Sequence, residues 1–109
     1  ITVASSDELG ELPAAVEAAA YRIAVEAVTN AARHADADAC SVRLDAEDGW
    51  LEVRVVDDGR GLPADVQAGV GISAMRERAA ELGGSLRIES RAGGGTIVVA
   101  SLPLGEDVA

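Results

Sequence analysis

An alternating apolar run from Trp50 to Val56 ends in Asp57-Asp58-Gly59-Arg60-Gly61, a carboxylate at a strand end followed by two glycines spaced two apart. Such a carboxylate can accept a hydrogen bond from the exocyclic amine of adenine, and Gly59 and Gly61 leave the backbone free to approach a flat base. An ordinary Asp-Gly turn leaving a strand has the same sequence. Glu26 and Asn30 stand four residues apart on the longest helical segment, so they project from one face, and Arg33 and His34 continue the stripe. Their oxygens are hard ligands and bases, suited to holding Mg²⁺ and orienting an attacking group, with Arg33 and His34 available to phosphate oxygens. A solvated helix face, with Arg22 and Glu26 as an i,i+4 ion pair, accounts for the same stripe. Gly69-Val70-Gly71 opens directly into another helix, whose N-terminus offers unpaired N–H groups and positive potential to phosphates. It is not a dinucleotide fingerprint, because Ala74 stands where a third glycine is needed. Gly93 to Thr96 reads first as a tight hairpin.

The elements that must position these residues follow from periodicity. Ile1 to Ala4 is strand-like, Ser5 to Glu11 is a polar connector, and a helix is expected from about Pro13 to Ala35. Two period-two segments, Ser41–Asp45 and Leu51–Val55, surround Glu47-Asp48-Gly49 and predict a hairpin whose strands each have one wet face. Gly59 to Gly71 is a loop, Ile72 to Leu82 a helix stopped by Gly83-Gly84, and Leu86–Glu89 and Thr96–Ala100 a second hairpin. Gly105 to Ala109 is expected to fray.

The 109 residues suit one domain spanning 1–109, and with no Phe, one Trp and one Tyr its core must be built from small aliphatic side chains. A formal net charge of −10 argues against nucleic acid and against contact with an anionic membrane surface. All nine basic residues are Arg, so the lysine that P-loop NTPases and eukaryotic-type protein kinases place on nucleotide phosphates is missing. His34 is the single histidine and Cys40 the single cysteine, which argues against zinc and against an internal disulfide and places Cys40 as a buried filler. Met75 and Trp50 are expected to serve packing, Trp50 as the anchor of a strand start. No apolar stretch reaches membrane-spanning length, and the opening Ile1-Thr2-Val3-Ala4 suggests a domain excised from a longer protein.

Taken in order, Glu26, Asn30, Arg33-His34-Ala35, Asp57-Asp58-Gly59-Arg60-Gly61, Gly69-Val70-Gly71-Ile72 and Gly94-Gly95-Thr96 resemble the ATP-binding domain of the gyrase, heat-shock chaperone, histidine kinase and mismatch-repair ATPase superfamily. Tyr21 to Ala35 and Gly71 to Gly84 resemble bacterial sensor histidine kinases of the nitrate/nitrite-sensor class, and the absence of Phe agrees with that class. The resemblance implies an α/β two-layer sandwich of the Bergerat type, a mixed sheet with helices on one face. It implies ATP and Mg²⁺ as cofactors, Asn30 as Mg²⁺ ligand and Glu26 as the acid/base or water-orienting residue. Asp57, Gly59 and Gly61 would bind adenine with Thr96 beside them, Gly69 and Gly71 would form the second glycine box, and Leu62 to Ala68 would be a short ATP lid.

The implied activity is transfer of the ATP γ-phosphate to a histidine on an upstream dimerisation and phosphoacceptor domain, for relay to a response regulator. His34, inside the Asn30 motif, is not that histidine. The fragment would be a monomeric cytoplasmic domain of a membrane-anchored kinase, binding ATP or ADP without phosphorylating itself. Three alternatives share the fold: an anti-sigma-type serine kinase, a self-contained ATPase of the gyrase or chaperone branch, and a non-catalytic nucleotide-binding module.

Overall fold

A computed structural model describes residues 2–5, 10–35, 39–60 and 70–105. Among them are five strands, β1 (Thr2–Ser5), β2 (Cys40–Glu47), β3 (Trp50–Asp57), β4 (Ser85–Ser90) and β5 (Thr96–Pro103). Two α-helices, α1 (Ala14–Asn30) and α2 (Val70–Glu81), accompany them. Strand order in the single sheet is β1-β2-β3-β5-β4, with β1 parallel to β2 and every other pair antiparallel, which makes the sheet mixed as expected.

Local chemistry accounts for most boundaries. Asp48 and Gly49 both take positive φ, 53° and 82°, as a two-residue hairpin between right-twisted strands demands. Pro13 caps α1 without needing a donor, and its carbonyl accepts from Glu17 N–H at 2.9 Å. At the end of α2, Gly83 N–H bonds the Ala80 carbonyl and Gly84 N–H the Ala79 carbonyl, both at 2.9 Å, a Schellman closure that needs the positive φ of Gly83.

Period-two alternation gives the sheet two unlike faces. Leu51, Val53 and Val55 of β3 and Val98, Ala100 and Leu102 of β5 are buried toward the helices, where Val16, Ala19, Ala20, Ile23 and Ala27 of α1 and Ile72, Met75 and Ala79 of α2 meet them. The predominance of Ala and Val on α1 brings that helix close to the sheet. On the opposite face, Arg43, Arg54 and Arg87 lie on one rung with Val99 between the last two. Each arginine pairs with a carboxylate two residues away on its own strand, Asp45, Glu52 and Glu89, at 2.9, 3.2 and 2.7 Å. These exposed pairs contribute little individually. Arg54 and Arg87 are the cross-strand neighbours of Val99, which is buried although no helix among the described residues packs on that face. The result is the two-layer arrangement, helices on one side and a charged sheet surface on the other.

Three expectations need correction. The long helix does not run unbroken to Ala35: α1 ends at Asn30 and Ala31–Ala35 continue as a π-helical turn. Cys40, expected to be a buried filler, is only half-buried at the start of β2, while Trp50 begins β3 as expected and is 45% exposed. Arg22 and Glu26 form no ion pair, and Glu26 is instead half-buried against the start of α2. Gly61, the proposed lid 62–68 and Gly69 lie outside the described residues, as do 6–9, 36–38, the tail 106–109 and the side chain of His34.

Candidate active site at the polar end of the core

The apolar rungs of the inner sheet face end in a polar one. Counting by twos along each strand, the row Leu51-Val53-Val55 of β3 is completed by Asp57, and the row Val98-Ala100-Leu102 of β5 is preceded by Thr96. Register pairs Cys40 with Asp57, Asp57 with Thr96, and Thr96 with Ser90, so one rung across four strands carries the polar groups. Asp57 is 5% and Thr96 3% exposed. Asn30 belongs to the same end: it continues the buried stripe of α1 through Ile23 and Ala27 at helical spacing. It therefore does not share a solvent stripe with Arg33, which is exposed.

Among the described residues, Asn30, Asp57 and Thr96 are the buried polar or charged side chains, and all three are residues that the sequence singles out. Burial of a polar group without a partner costs about 1 to 3 kcal/mol, and Nδ2 of Asn30 has no hydrogen-bond partner among the described residues. An amide left unsatisfied at the mouth of a rung that carries a buried carboxylate has hydrogen-bonding capacity to spare for a ligand. The π-helical turn begins directly after it, at a place where such irregularities gather around functional residues.

The Asp57 turn is braced from several sides. Oδ1 of Asp57 accepts from Gly59 N–H at 2.9 Å, an Asx-type closure, while Oδ2 makes no hydrogen bond among the described residues. Nη1 of Arg91 donates to the Asp57 carbonyl at 3.0 Å. Asp58 ties the turn to the strand before it, its Oδ1 accepting from Ala39 N–H at 2.9 Å and its N–H donating to the Ala39 carbonyl at 3.2 Å. The loop between β4 and β5 closes the far side: a Cβ on Gly95 would collide with the Asp57 carbonyl, and one on Gly94 would stand 3.3 Å from the Gly59 carbonyl. Sequence reasoning did not reach Arg91 or the clasp by Asp58. The adjacency of Arg91 to the Gly93–Gly95 hairpin was the available signal, but only cross-strand register shows that this hairpin meets Asp57.

Two further features border the rung. Burial, and then the carboxylates of Asp57 and Asp58, push the Cys40 thiol above its ordinary pKa. Glu26, one turn before Asn30, faces Gly71 in the first turn of α2, where a Cβ would strike the Glu26 carboxylate. The glycine thus permits close approach of α2 to that side chain.

Comparison with known proteins agrees with this geometry. Residues 15–106 match the family described as histidine kinase-, DNA gyrase B-, and HSP90-like ATPase. The sensor protein VraS of Staphylococcus aureus is 32% identical over 99 residues, covering 89% of this chain and 28% of that protein, and VraS of Staphylococcus epidermidis matches to the same extent. The chain thus spans little more than a quarter of these relatives. Among solved structures, the histidine kinase domain of the blue-light activated histidine kinase from Erythrobacter litoralis EL346 superposes with a TM-score of 0.71 at 31% identity, covering 94% of this chain and 51% of that one. The ATP-binding domain of PrrB from Mycobacterium tuberculosis shares the fold, with a TM-score of 0.70 at 21% identity over 97% of this chain and 82% of that one. A family match across most of the chain, the mixed five-stranded sheet and a polar rung built from the motif residues lead to one conclusion: the chain belongs to the histidine kinase-, gyrase- and HSP90-like ATPases and is an ATP-binding domain of the histidine kinase kind.

Proposed function

We propose that this chain serves as the catalytic domain of a two-component sensor histidine kinase, holding ATP at the polar end of its core and giving the γ-phosphate to a histidine on an upstream dimerising domain for relay to a response regulator. The observation that carries this reading is the buried set Asn30, Asp57 and Thr96, with Nδ2 of Asn30 unsatisfied. In this reading Oδ2 of Asp57 accepts from the adenine amine, Gly59 and Gly61 admit the base, and Thr96 lies beside it. Gly69 and Gly71 open α2 toward the phosphates, and Arg33 and His34 add charge and donors there.

Asn30 offers a single buried amide, and among the described residues no group of three His, Cys, Asp or Glu gathers to hold a metal. The Oδ1 of that amide is the atom that would ligate Mg²⁺, which is commonly bound by few protein ligands together with substrate phosphates and would supply charge neutralisation there, leaving Nδ2 to donate to a phosphate oxygen. Glu26, which lies against Gly71 at the start of α2, would orient or deprotonate the incoming acceptor. Phosphoryl transfer depends mainly on positioning and charge stabilisation, which a preformed rung and two helix ends provide. We place the kinase in the nitrate/nitrite-sensor class on the motif wording and the lack of Phe, and its parent among membrane-anchored sensors with this domain in the cytoplasm. Among the described residues no helix is long and apolar enough to cross a membrane.

The test is incubation with [γ-³²P]ATP. The isolated chain is expected to bind ATP and ADP as a monomer without labelling itself. Addition of the upstream helical domain in trans should then yield acid-labile, base-stable label on that domain. Acid-stable label on an added substrate would indicate a serine kinase, and bound nucleotide with no transfer would indicate a binding module.

A further inference from the structure

Arg91 departs from the way this chain uses its other described arginines. On the open sheet face Arg43, Arg54 and Arg87 each direct Nε to a carboxylate two residues away along the same strand. Arg91, at the start of the loop between β4 and β5, instead donates from Nη1 to a backbone carbonyl 34 residues away, that of Asp57, at 3.0 Å. In a chain with 19 acidic residues against nine arginines, a guanidinium given to a neutral carbonyl calls for an explanation.

The carbonyl it holds belongs to the last residue of β3, and strand ends are where local opening begins. Fixing that carbonyl fixes the planar peptide unit after Asp57, and with it the direction in which the Asp57 side chain leaves the backbone. Gly59 N–H holds Oδ1 at 2.9 Å, so the two bonds together orient the carboxylate. Arg91 is itself anchored. Its N–H donates to the Gly95 carbonyl at 3.1 Å and its carbonyl accepts from Gly94 N–H at 3.2 Å, in a loop whose Gly93, Gly94 and Gly95 all take positive φ. Thr96, the neighbour of Asp57 on the polar rung, follows directly. The guanidinium thereby ties the loop that delivers Thr96 to the strand end that delivers Asp57, and it does so from an exposed side chain outside the buried rung.

We infer that Arg91 is a positioning residue for adenine recognition: its bond to the Asp57 carbonyl holds the Asp57 carboxylate at the angle that accepts the exocyclic amine, so Arg91 sets the preference for 6-aminopurines without touching the base. Aim matters because a hydrogen bond weakens steeply as its geometry departs from linear. This rests on the reading of Asp57 as the adenine acceptor and adds to it the residue that aims that acceptor.

The probes are ADP and purine riboside 5′-diphosphate, which differ only in the exocyclic amine. Both are titrated calorimetrically with Mg²⁺ into the 109-residue chain and into Arg91→Ala, Asp57→Asn and the double variant. Wild type should favour ADP. Arg91→Ala should lose about three- to tenfold in ADP affinity while its affinity for the analogue holds, so that discrimination narrows. In the Asp57→Asn background the same substitution should cost little further, because two changes that act through one group do not add. The urea midpoint of Arg91→Ala, read on the same samples, should move little, as for other exposed side chains. An equal loss for ADP and the analogue, an ADP affinity unchanged by Arg91→Ala, or a full additional loss in the double variant would overturn the assignment, while a wild-type preference for ADP leaves the Asp57 reading standing. A wild-type chain that binds ADP and the analogue alike would instead remove the Asp57 reading, and this inference with it.

Discussion

Asn30 and Asp57 divide the labour at the residue scale, and two substitutions separate their roles. Nδ2 of Asn30 already lacks a partner, so Asn30→Ala removes no internal hydrogen bond from that nitrogen and should leave unfolding free energy within about 1 kcal/mol of wild type. ADP affinity in EDTA should survive, while the increment added by Mg²⁺ disappears. An equal loss with and without Mg²⁺, measured by calorimetry, would make Asn30 structural. On the proposed role of Asp57 as acceptor for the adenine amine, Asp57→Asn should weaken a charge-assisted bond and lower ATP affinity by about 1.5 to 3 kcal/mol, roughly ten- to a hundredfold. Unchanged ATP binding by Asp57→Asn would reduce Asp57 to a turn residue. The sequence disclosed Asn30 as a candidate but set it on the wrong face. Helical spacing from Glu26 and from Ile23 both fit, and only tertiary packing decides that the Ile23 stripe wins.

At the scale of elements, close approaches between strands and helices make sharper claims than propensities do. Gly49 has φ 82° with open space where a Cβ would go, whereas Gly95 has φ 107° and would drive a Cβ into the Asp57 carbonyl. Gly49→Ala should therefore cost about 1 kcal/mol, the ordinary left-handed penalty, and Gly95→Ala more than about 2 kcal/mol. Urea denaturation of the two variants checks the ordering, and equal costs would mean that the β4–β5 loop does not brace the Asp57 turn. Gly71→Ala has a different signature. Its Cβ meets the flexible end of Glu26 and no backbone, and Ala favours a helix by up to about 1 kcal/mol over Gly. Thermal stability should hold or improve, while transfer to the acceptor domain should fall by up to about a hundredfold as the Glu26 carboxylate is displaced, measured under nucleotide saturation. Full transfer with this variant would show that the placement of Glu26 is irrelevant. The Asp48-Gly49 turn, the Gly83 stop and the inward rows of β3 and β5 were legible because each is encoded within a few residues. The parallel pairing of β1 with β2 and the Arg91 contact to Asp57, 34 residues apart, were not, because they depend on chain segments distant in sequence.

For the whole molecule, the arrangement amounts to an apolar sandwich closed on one side by charged sheet and opened at one end by a polar rung. Function should therefore be confined to the Asn30, Asp57 and Thr96 end, with the Trp50 hairpin at the opposite end of β3 remote from it. The mixed sheet and the helix layer were foreseeable from the motif order, yet the reason that the motifs converge lies in register: Asp57 and Thr96, 39 residues apart in sequence, occupy one rung. The most direct test is a ¹⁵N-labelled titration of the chain with Mg-ATP and, separately, Mg-GTP. The account predicts that ATP shifts the amides of Asn30, Asp57, Gly59 and Thr96 and the side-chain amide of Asn30, leaves the Trp50 indole unmoved, and that GTP at equal concentration does far less. Equal responses to the two nucleotides, or shifts centred on Trp50 with Asp57 and Thr96 silent, would contradict it.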